Sequence, residues 1–230
     1  MKNGIKEFSR GNKERSNQDS LDLRSASEVR SSHNSKYNKL HYTNDLIARK
    51  ILIAYDYEGL YSFTHLNDAN TISLIILNNF ENNKNLKILD GTGGLGGNTM
   101  SFCKYFLNVH TFEIDKERFT MLKTNIENLN FHNIYLYNKD SIDYMLVNYE
   151  NFDVYFFDPP WGGPDYKKSK LLSLKMNEYN LGEIAEIIMK KTNDKLLVFK
   201  LPFNYDLNEF NLFNYKLYKI HNYFIIIILL

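Results

Sequence analysis

Residues 86–97 read LKILDGTGGLGG, and this run decides the fold. LKILD (86–90) is a short apolar segment that stops at a turn, the mark of a buried strand. Five glycines fill the next seven residues, Gly91 to Gly97. Glycine permits positive φ and lets a ligand approach the backbone closely. A helix opens at Asn98 and Thr99, so free N–H groups face back over the loop. The spacing D-G-T-G-G-L-G-G departs from G-x-G-x-x-G and lacks the lysine of a P-loop. By itself the loop is a weak signal, and a tight turn is the other reading.

Working outward, strands and helices alternate. VHTFE (109–113) reads as a strand, 116–130 as a helix, 133–137 as a strand and 141–149 as a helix. FDVYFFD (152–158) is the fourth strand, 178–191 a helix and 195–201 the fifth strand. Segments 215–221 and 223–230 lie too close together for an intervening helix, so they close as a hairpin. Such alternation with apolar strands implies a parallel sheet covered on both faces. Upstream, 68–80 reads as a helix with Asp68 near its N-cap, and 36–55 as helical in pieces. The expected architecture is α/β: a doubly wound, mostly parallel seven-stranded Rossmann-like sheet with a C-terminal antiparallel hairpin and a small helical N-terminal extension. Three segments follow. Residues 1–35 form a polar tail too poor in apolar residues to fold. Residues 36–80 form the helical extension, and 81–230 the α/β domain.

The 230 residues suit one domain with a short appendage, and 43% hydrophobic content supports one sizeable core. A net charge of +1 provides no global field toward nucleic acid or membrane, so any nucleic-acid contact must be local. One cysteine, Cys103, excludes an internal disulfide and a cysteine zinc site. The histidines show no metal-like spacing, so no metal is expected. Residues 1–35 lack the apolar run of a secretory signal, and FIIIILL (224–230) is too short to cross a bilayer. An intracellular protein, nuclear or cytoplasmic, and a monomer is expected. The excess of Asn, Lys, Ile and Tyr is that of an AT-rich genome; for a viral source the compartment would be the host cytoplasm.

In doubly wound sheets the ligand lies beyond the carboxyl ends of the strands. The first strand delivers Asp90 and the glycine loop. The second delivers Glu113, about 20 residues after the glycines, where a ribose-binding acid is expected. The third delivers Asp140 and Ser141, suited to the edge of an adenine. The fourth delivers FDPPWGGPDY (157–166), which holds three of the four prolines and the only tryptophan.

This order of acids, ending in D-P-P-W, resembles the class I S-adenosylmethionine-dependent methyltransferases, and the box resembles that of their amino-group members. The resemblance implies that Asp158 and the Pro159 carbonyl accept hydrogen bonds from an exocyclic amine. Acceptors there favour pyramidalisation of a poorly nucleophilic aryl nitrogen held in line with the donor methyl.

WGGPDY (161–166) is similar to the trimethylguanosine synthase family, which methylates N2 of cap guanines already methylated at N7. Indole is the best aromatic partner for such a cationic base. DGTGGLGGNT (90–99) resembles that family's D-x-x-x-G-x-G-G-N-T. DYEGLYSFT (56–64) resembles L-D-x-E-G-W-F-S-V-T, and KLPFN (200–204) falls where the family has F-L-P-R-N. Lys36, Tyr37 and Tyr42 resemble K-Y-W-x-x-R-Y. The resemblance runs from about residue 36 to the end.

It implies S-adenosyl-L-methionine held by Thr64, Asp90, Gly94, Gly96, Asn98, Glu113, Asp140, Ser141 and Asp158. It implies 7-methylguanine-capped RNA as substrate, with the base on Trp161 and further cap contacts from Lys36 and Asn204. The product is N2,7-dimethylguanosine or, after a second transfer, N2,N2,7-trimethylguanosine. Asp158 stands where the family often has serine. Phe203 replaces an expected arginine, leaving Lys167, Lys168 and Lys170 to supply charge near the cap phosphates. Two other readings share these residues. One is an N2-guanine or N6-adenine methyltransferase acting inside RNA or DNA; the other is a catalytically silent cap-binding protein.

Overall fold

The computed structural model describes residues 38–41, 52–148, 151–191 and 195–230. The tail 1–35 and Lys36 lie outside them. Two short strands come first, β1 (Asn38–His41) and β2 (Leu52–Tyr55), followed by α1 (Gly59–Ser62) and α2 (Leu66–Asn78). The α/β body follows as β3 (Lys87–Asp90), α3 (Gly97–Tyr105), β4 (Asn108–Phe112), α4 (Lys116–Leu129), β5 (Ile134–Tyr137), α5 (Ser141–Val147) and β6 (Val154–Phe157). A small hairpin, β7 (Lys175–Met176) and β8 (Tyr179–Asn180), leads into α6 (Leu181–Met189). The chain closes with β9 (Leu196–Pro202), β10 (Tyr215–Ile220) and β11 (Tyr223–Leu229).

Seven strands form one sheet in the order β10-β11-β9-β6-β3-β4-β5. β5, β4, β3, β6 and β9 run parallel, and β11 is antiparallel to both β9 and β10. The expected sheet and closing hairpin are therefore present. β6 and β9 are buried along their whole lengths, as strands covered on both faces must be. Alternation divides their side chains between two layers. Leu89, Phe157, Phe199 and Ile226 meet α5 and α6 on one face. Ile88, Phe156, Val198 and Ile225 meet α2 and α3 on the other. Phe156 and Phe157 are fully buried on opposite faces, each stabilising the fold by roughly 1.5–3 kcal/mol. All of the segment FIIIILL but Leu230 lies in the interior strand β11. Among the described residues no helix is long and apolar enough to cross a membrane.

The helical reading of 36–55 is corrected at 38–41 and 52–55, where β1 and β2 pair as antiparallel strands; 36, 37 and 42–51 lie outside the described residues. The cause is tertiary. Asn125 of α4 accepts from Ala54 N at 2.6 Å and donates to Ala54 O at 3.0 Å, binding β2 as a neighbouring strand would. The same amide donates to Leu95 O at 2.9 Å, tying β2 to the glycine loop. No local pattern competes with three hydrogen bonds to a buried asparagine. Asp68 lies near the N-cap of its helix, as expected. His65 is the N-cap of α2, and Asp68 lies in the first turn with its carboxylate on Tyr223 and His221.

Candidate active site

A cavity of about 650 Å³ opens beyond the carboxyl ends of β3, β4 and β6, a size that suits a nucleotide-like ligand. Its floor is the glycine loop. Gly97 starts α3 where a Cβ would come within 2.7 Å of Thr64 O and 2.9 Å of Thr64 N, so only glycine admits the 62–65 segment at this distance. Gly94 adopts φ +53° with open space around it. Its N–H donates to Glu113 Oε2 at 2.7 Å, while Asp115 N donates to Oε1 at 2.9 Å. A carboxylate has about four acceptor sites, so Glu113 retains capacity for vicinal hydroxyls. Burial pushes its carboxyl up, and the two N–H groups pull against that shift.

Asp90 lies behind the loop, fully buried. It accepts from the Thr99 hydroxyl at 2.6 Å and from Thr92 N at 3.3 Å. Burial pushes it up to about 7, against those two hydrogen bonds. Asp90 therefore shapes the loop and does not line the cavity. Gly96 also lies off the cavity, facing Leu122 and Met100. Asp140 lines the cavity and caps α5, accepting from Ile142 N and Asp143 N. Ser141 lines it and donates to Gly91 O at 2.8 Å.

The D-P-P-W box leaves β6 along the opposite rim. Asp158 N donates to Thr92 Oγ1 at 2.7 Å, bolting the box to the glycine loop. Asp158, Pro159, Pro160 and Trp161 all line the cavity. Trp161 is half-buried: it packs on both core layers, and the Tyr166 ring meets it edge to face at 5.1 Å. The Asp158 carboxylate, 15% exposed, receives Lys200 Nζ at 2.6 Å. Burial pushes this carboxyl up, and the Lys200 ammonium opposes the shift. Lys200 Nζ also reaches Thr64 Oγ1 at 3.1 Å and sits 5.0 Å from the centroid of each of the Trp161 and Tyr223 rings.

Thr64 and Asn98 line the cavity, and Asn98 donates to Thr64 Oγ1 at 3.1 Å. Asn98 Oδ1 is buried with no partner among the described residues, an unsatisfied acceptor on a residue that lines the cavity. Arg118 of α4 pairs with Asp56 at 3.0 Å and also with Glu58, holding the segment before α1 against the rim. Asn204 is not among the lining residues. Its amide donates to Tyr166 O and Ser169 O at 2.9 and 2.8 Å, supporting the loop that carries Tyr166. Lys167 lines the cavity; Lys168 pairs with the exposed Asp165, and Lys170 does not line it.

Lys200, Arg118 and Tyr223 are rim residues that sequence reasoning passed over. A signal for Lys200 was present: it is the one charge inside the apolar strand LLVFKLP, and a buried lysine needs a partner. Arg118 and Tyr223 carry no such signal, since each resembles an ordinary helix-surface or strand residue.

A mostly parallel sheet with a reversed closing hairpin, a glycine loop after its first strand and an acid after its second defines the class I methyltransferases, a class that uses S-adenosylmethionine. Residues 85–227 match the family described as RNA cap guanine-N2 methyltransferase, and the chain belongs to that family. It is 33% identical over 183 residues to the uncharacterized protein L320 of Acanthamoeba polyphaga mimivirus, covering 70% of each chain. It is 29% identical over 138 residues to the trimethylguanosine synthase of Schizosaccharomyces pombe, covering 54% of this chain and 53% of that protein. The fold is similar to that of the T. thermophilus 16S rRNA N2 G1207 methyltransferase in complex with AdoMet and guanosine. That likeness has a TM-score of 0.55 at 14% identity and covers 70% of this chain and 42% of the other.

Proposed function

We propose that this chain methylates the exocyclic N2 of 7-methylguanosine in an RNA 5′ cap, with S-adenosyl-L-methionine as donor. The observation that carries the reading is the meeting of three elements on one cavity: the glycine loop with Glu113, the Asp158 carboxylate, and the Trp161 indole. S-adenosylmethionine supplies a methyl group on a positively charged sulfur. Glu113, with Asp140 and Ser141 beside it, would hold the nucleoside end, and Asn98 and Thr64 the amino-acid end. Asp158 would accept an N2–H of the guanine, turn the nitrogen lone pair toward the methyl and receive the proton that the product ammonium sheds. Trp161 would provide the face on which the base lies. Lys167 is the cavity-lining cation nearest in sequence to that ring.

Incubation of the protein with methyl-labelled S-adenosylmethionine and either 7-methylguanosine-capped or unmethylated guanosine-capped RNA tests the reading. Strong preference for the 7-methylated cap is expected. A second reading, an N2-guanine methyltransferase acting on a neutral guanine, is favoured by one observation: a cation, Lys200, already lies over the indole. Equal labelling of both caps would select it. Mass spectrometry of the product gives the number of methyl groups added. A protein that binds the cap and transfers nothing would be the silent cap-binding form.

A further inference from the structure

The cavity rim holds a lysine that the proposed chemistry does not name. Lys200 is 6% exposed and stands in the middle of β9, a strand otherwise wholly apolar. A buried ammonium is costly unless paired and hydrogen-bonded. Here it is surrounded. Asp158 Oδ2 lies at 2.6 Å, Thr64 Oγ1 at 3.1 Å, and the Trp161 and Tyr223 rings at 5.0 Å each. Tyr223 is held in turn, donating its hydroxyl to Asp68 Oδ2 at 3.0 Å. Strand register places the wall: β11 runs antiparallel beside β9, pairing Tyr223 with Pro202 and Ile225 with Lys200. The ammonium therefore touches both halves of the D-P-P-W box and the threonine beside the glycine loop.

We propose that Lys200 is a positioning residue of the transfer site, holding Asp158 ionised and oriented as the acceptor for the substrate amine and setting the ring of Trp161 beside it. This rests on the reading of Asp158 as the group that faces the amine. The physical case is direct. An ionised carboxylate is a stronger acceptor than the neutral acid, and Asp158 sits where burial favours the neutral acid. Glu113 beyond β4 lines the same cavity, and Asp90 lies buried behind the glycine loop, where the charges of Asp158 and Glu113 help to raise it. β11 brings Tyr223 and α2 brings Asp68 to the same cavity, with His221 of the β10–β11 turn paired to Asp68, and the loop beyond the box brings Lys167. Lys200 is the cation within salt-bridge distance of Asp158 among the described residues.

The test is a carbon-13 titration of the Asp158 carboxyl, assigned by its loss in D158N, in the wild type, K200M and K200R. The wild-type carboxyl is expected to be ionised at neutral pH. K200M should raise its titration midpoint by about 1–3 pH units, the effect of one close opposite charge, and K200R should restore it. Turnover should follow: K200M should lose activity at neutral pH and recover part of it as pH rises. The comparison is repeated on the D90N background, because burial raises the Asp90 carboxyl as well. A carboxyl already protonated in the wild type at neutral pH would overturn the proposal without any Lys200 variant having to fold. So would a K200M protein whose activity falls equally at every pH with an unmoved carboxyl. The titration needs no substrate. Failure of the wild type to methylate capped RNA would therefore reject the cap reading and leave the role of Lys200 to be decided by the carboxyl itself.

Discussion

Glu113 Oε2 accepts the Gly94 N–H at 2.7 Å, so the acid that ends β4 also sets the loop that leaves β3. One carboxylate thus couples two neighbouring strands at the point where a ligand would straddle them. Replacing it with glutamine leaves one of its two backbone N–H donors facing an amide NH2. E113Q is expected to weaken S-adenosylmethionine binding by about tenfold or more, with little change in fold. Isothermal titration checks this, and unchanged affinity would remove Glu113 from the cofactor site.

Trp161 should matter to the base and not to the cofactor. Base–aromatic stacking contributes about 1–3 kcal/mol, or roughly 5- to 150-fold in affinity. W161A is expected to lose cap-analogue binding by at least that factor while cofactor affinity stays unchanged. The ring also packs on both core layers, so its melting temperature should fall. W161F, which keeps a stacking face, should recover much of both. Fluorescence titration with a cap analogue separates the outcomes; normal cap affinity in W161A would show the ring to be core only.

Asp158 should matter to the rate. D158A is expected to lower kcat at least about a hundredfold while cap affinity changes by no more than about threefold. It also leaves the Lys200 ammonium buried without its counter-charge, which costs about 3–5 kcal/mol of stability. Activity must therefore be measured at low temperature on protein shown by circular dichroism to be folded. Equal losses in kcat and affinity would assign Asp158 to ground-state binding.

Asp90 makes stability depend on pH. Its folded carboxyl is raised from the ordinary 3.8 to about 7, mainly by burial. The folded protein therefore holds a proton that the unfolded chain has released, and stability from this group is full below about pH 4 and declines as pH rises through about 7. The shift caps the effect at about 4 kcal/mol. D90N should flatten the decline across this window in urea titrations run at several pH values. An identical slope in mutant and wild type would mean Asp90 is ionised at neutral pH.

Much of the fold was legible because each central strand is an uninterrupted apolar run, and burial on both faces forces that pattern. LKILD, FDVYFFD and the run that became β9 needed no tertiary information. The site was legible where a residue type is rare or its spacing constrained, as with the glycines and D-P-P-W. It was illegible where a residue's job depends on a distant partner. Asp90 and Gly96 sit in the motif yet shape the loop from behind, and Asn204 supports a loop 35 residues away in sequence. β1 and β2 looked helical because the asparagine that binds β2 lies 71 residues downstream, in α4.

The amino-acid order alone determined the α/β class, the seven strands and their closing hairpin, and the identity of the box after β6, since periodicity and residue chemistry are local properties. Only the folded chain decided that Lys200 meets Asp158, that Tyr223 walls it in, and that Arg118 holds the N-terminal segment over the cavity. Those contacts join β9, β11 and α4 to segments far away in the chain. Packing brings them together through a shared core, and nothing in the neighbourhood of any one residue encodes the meeting.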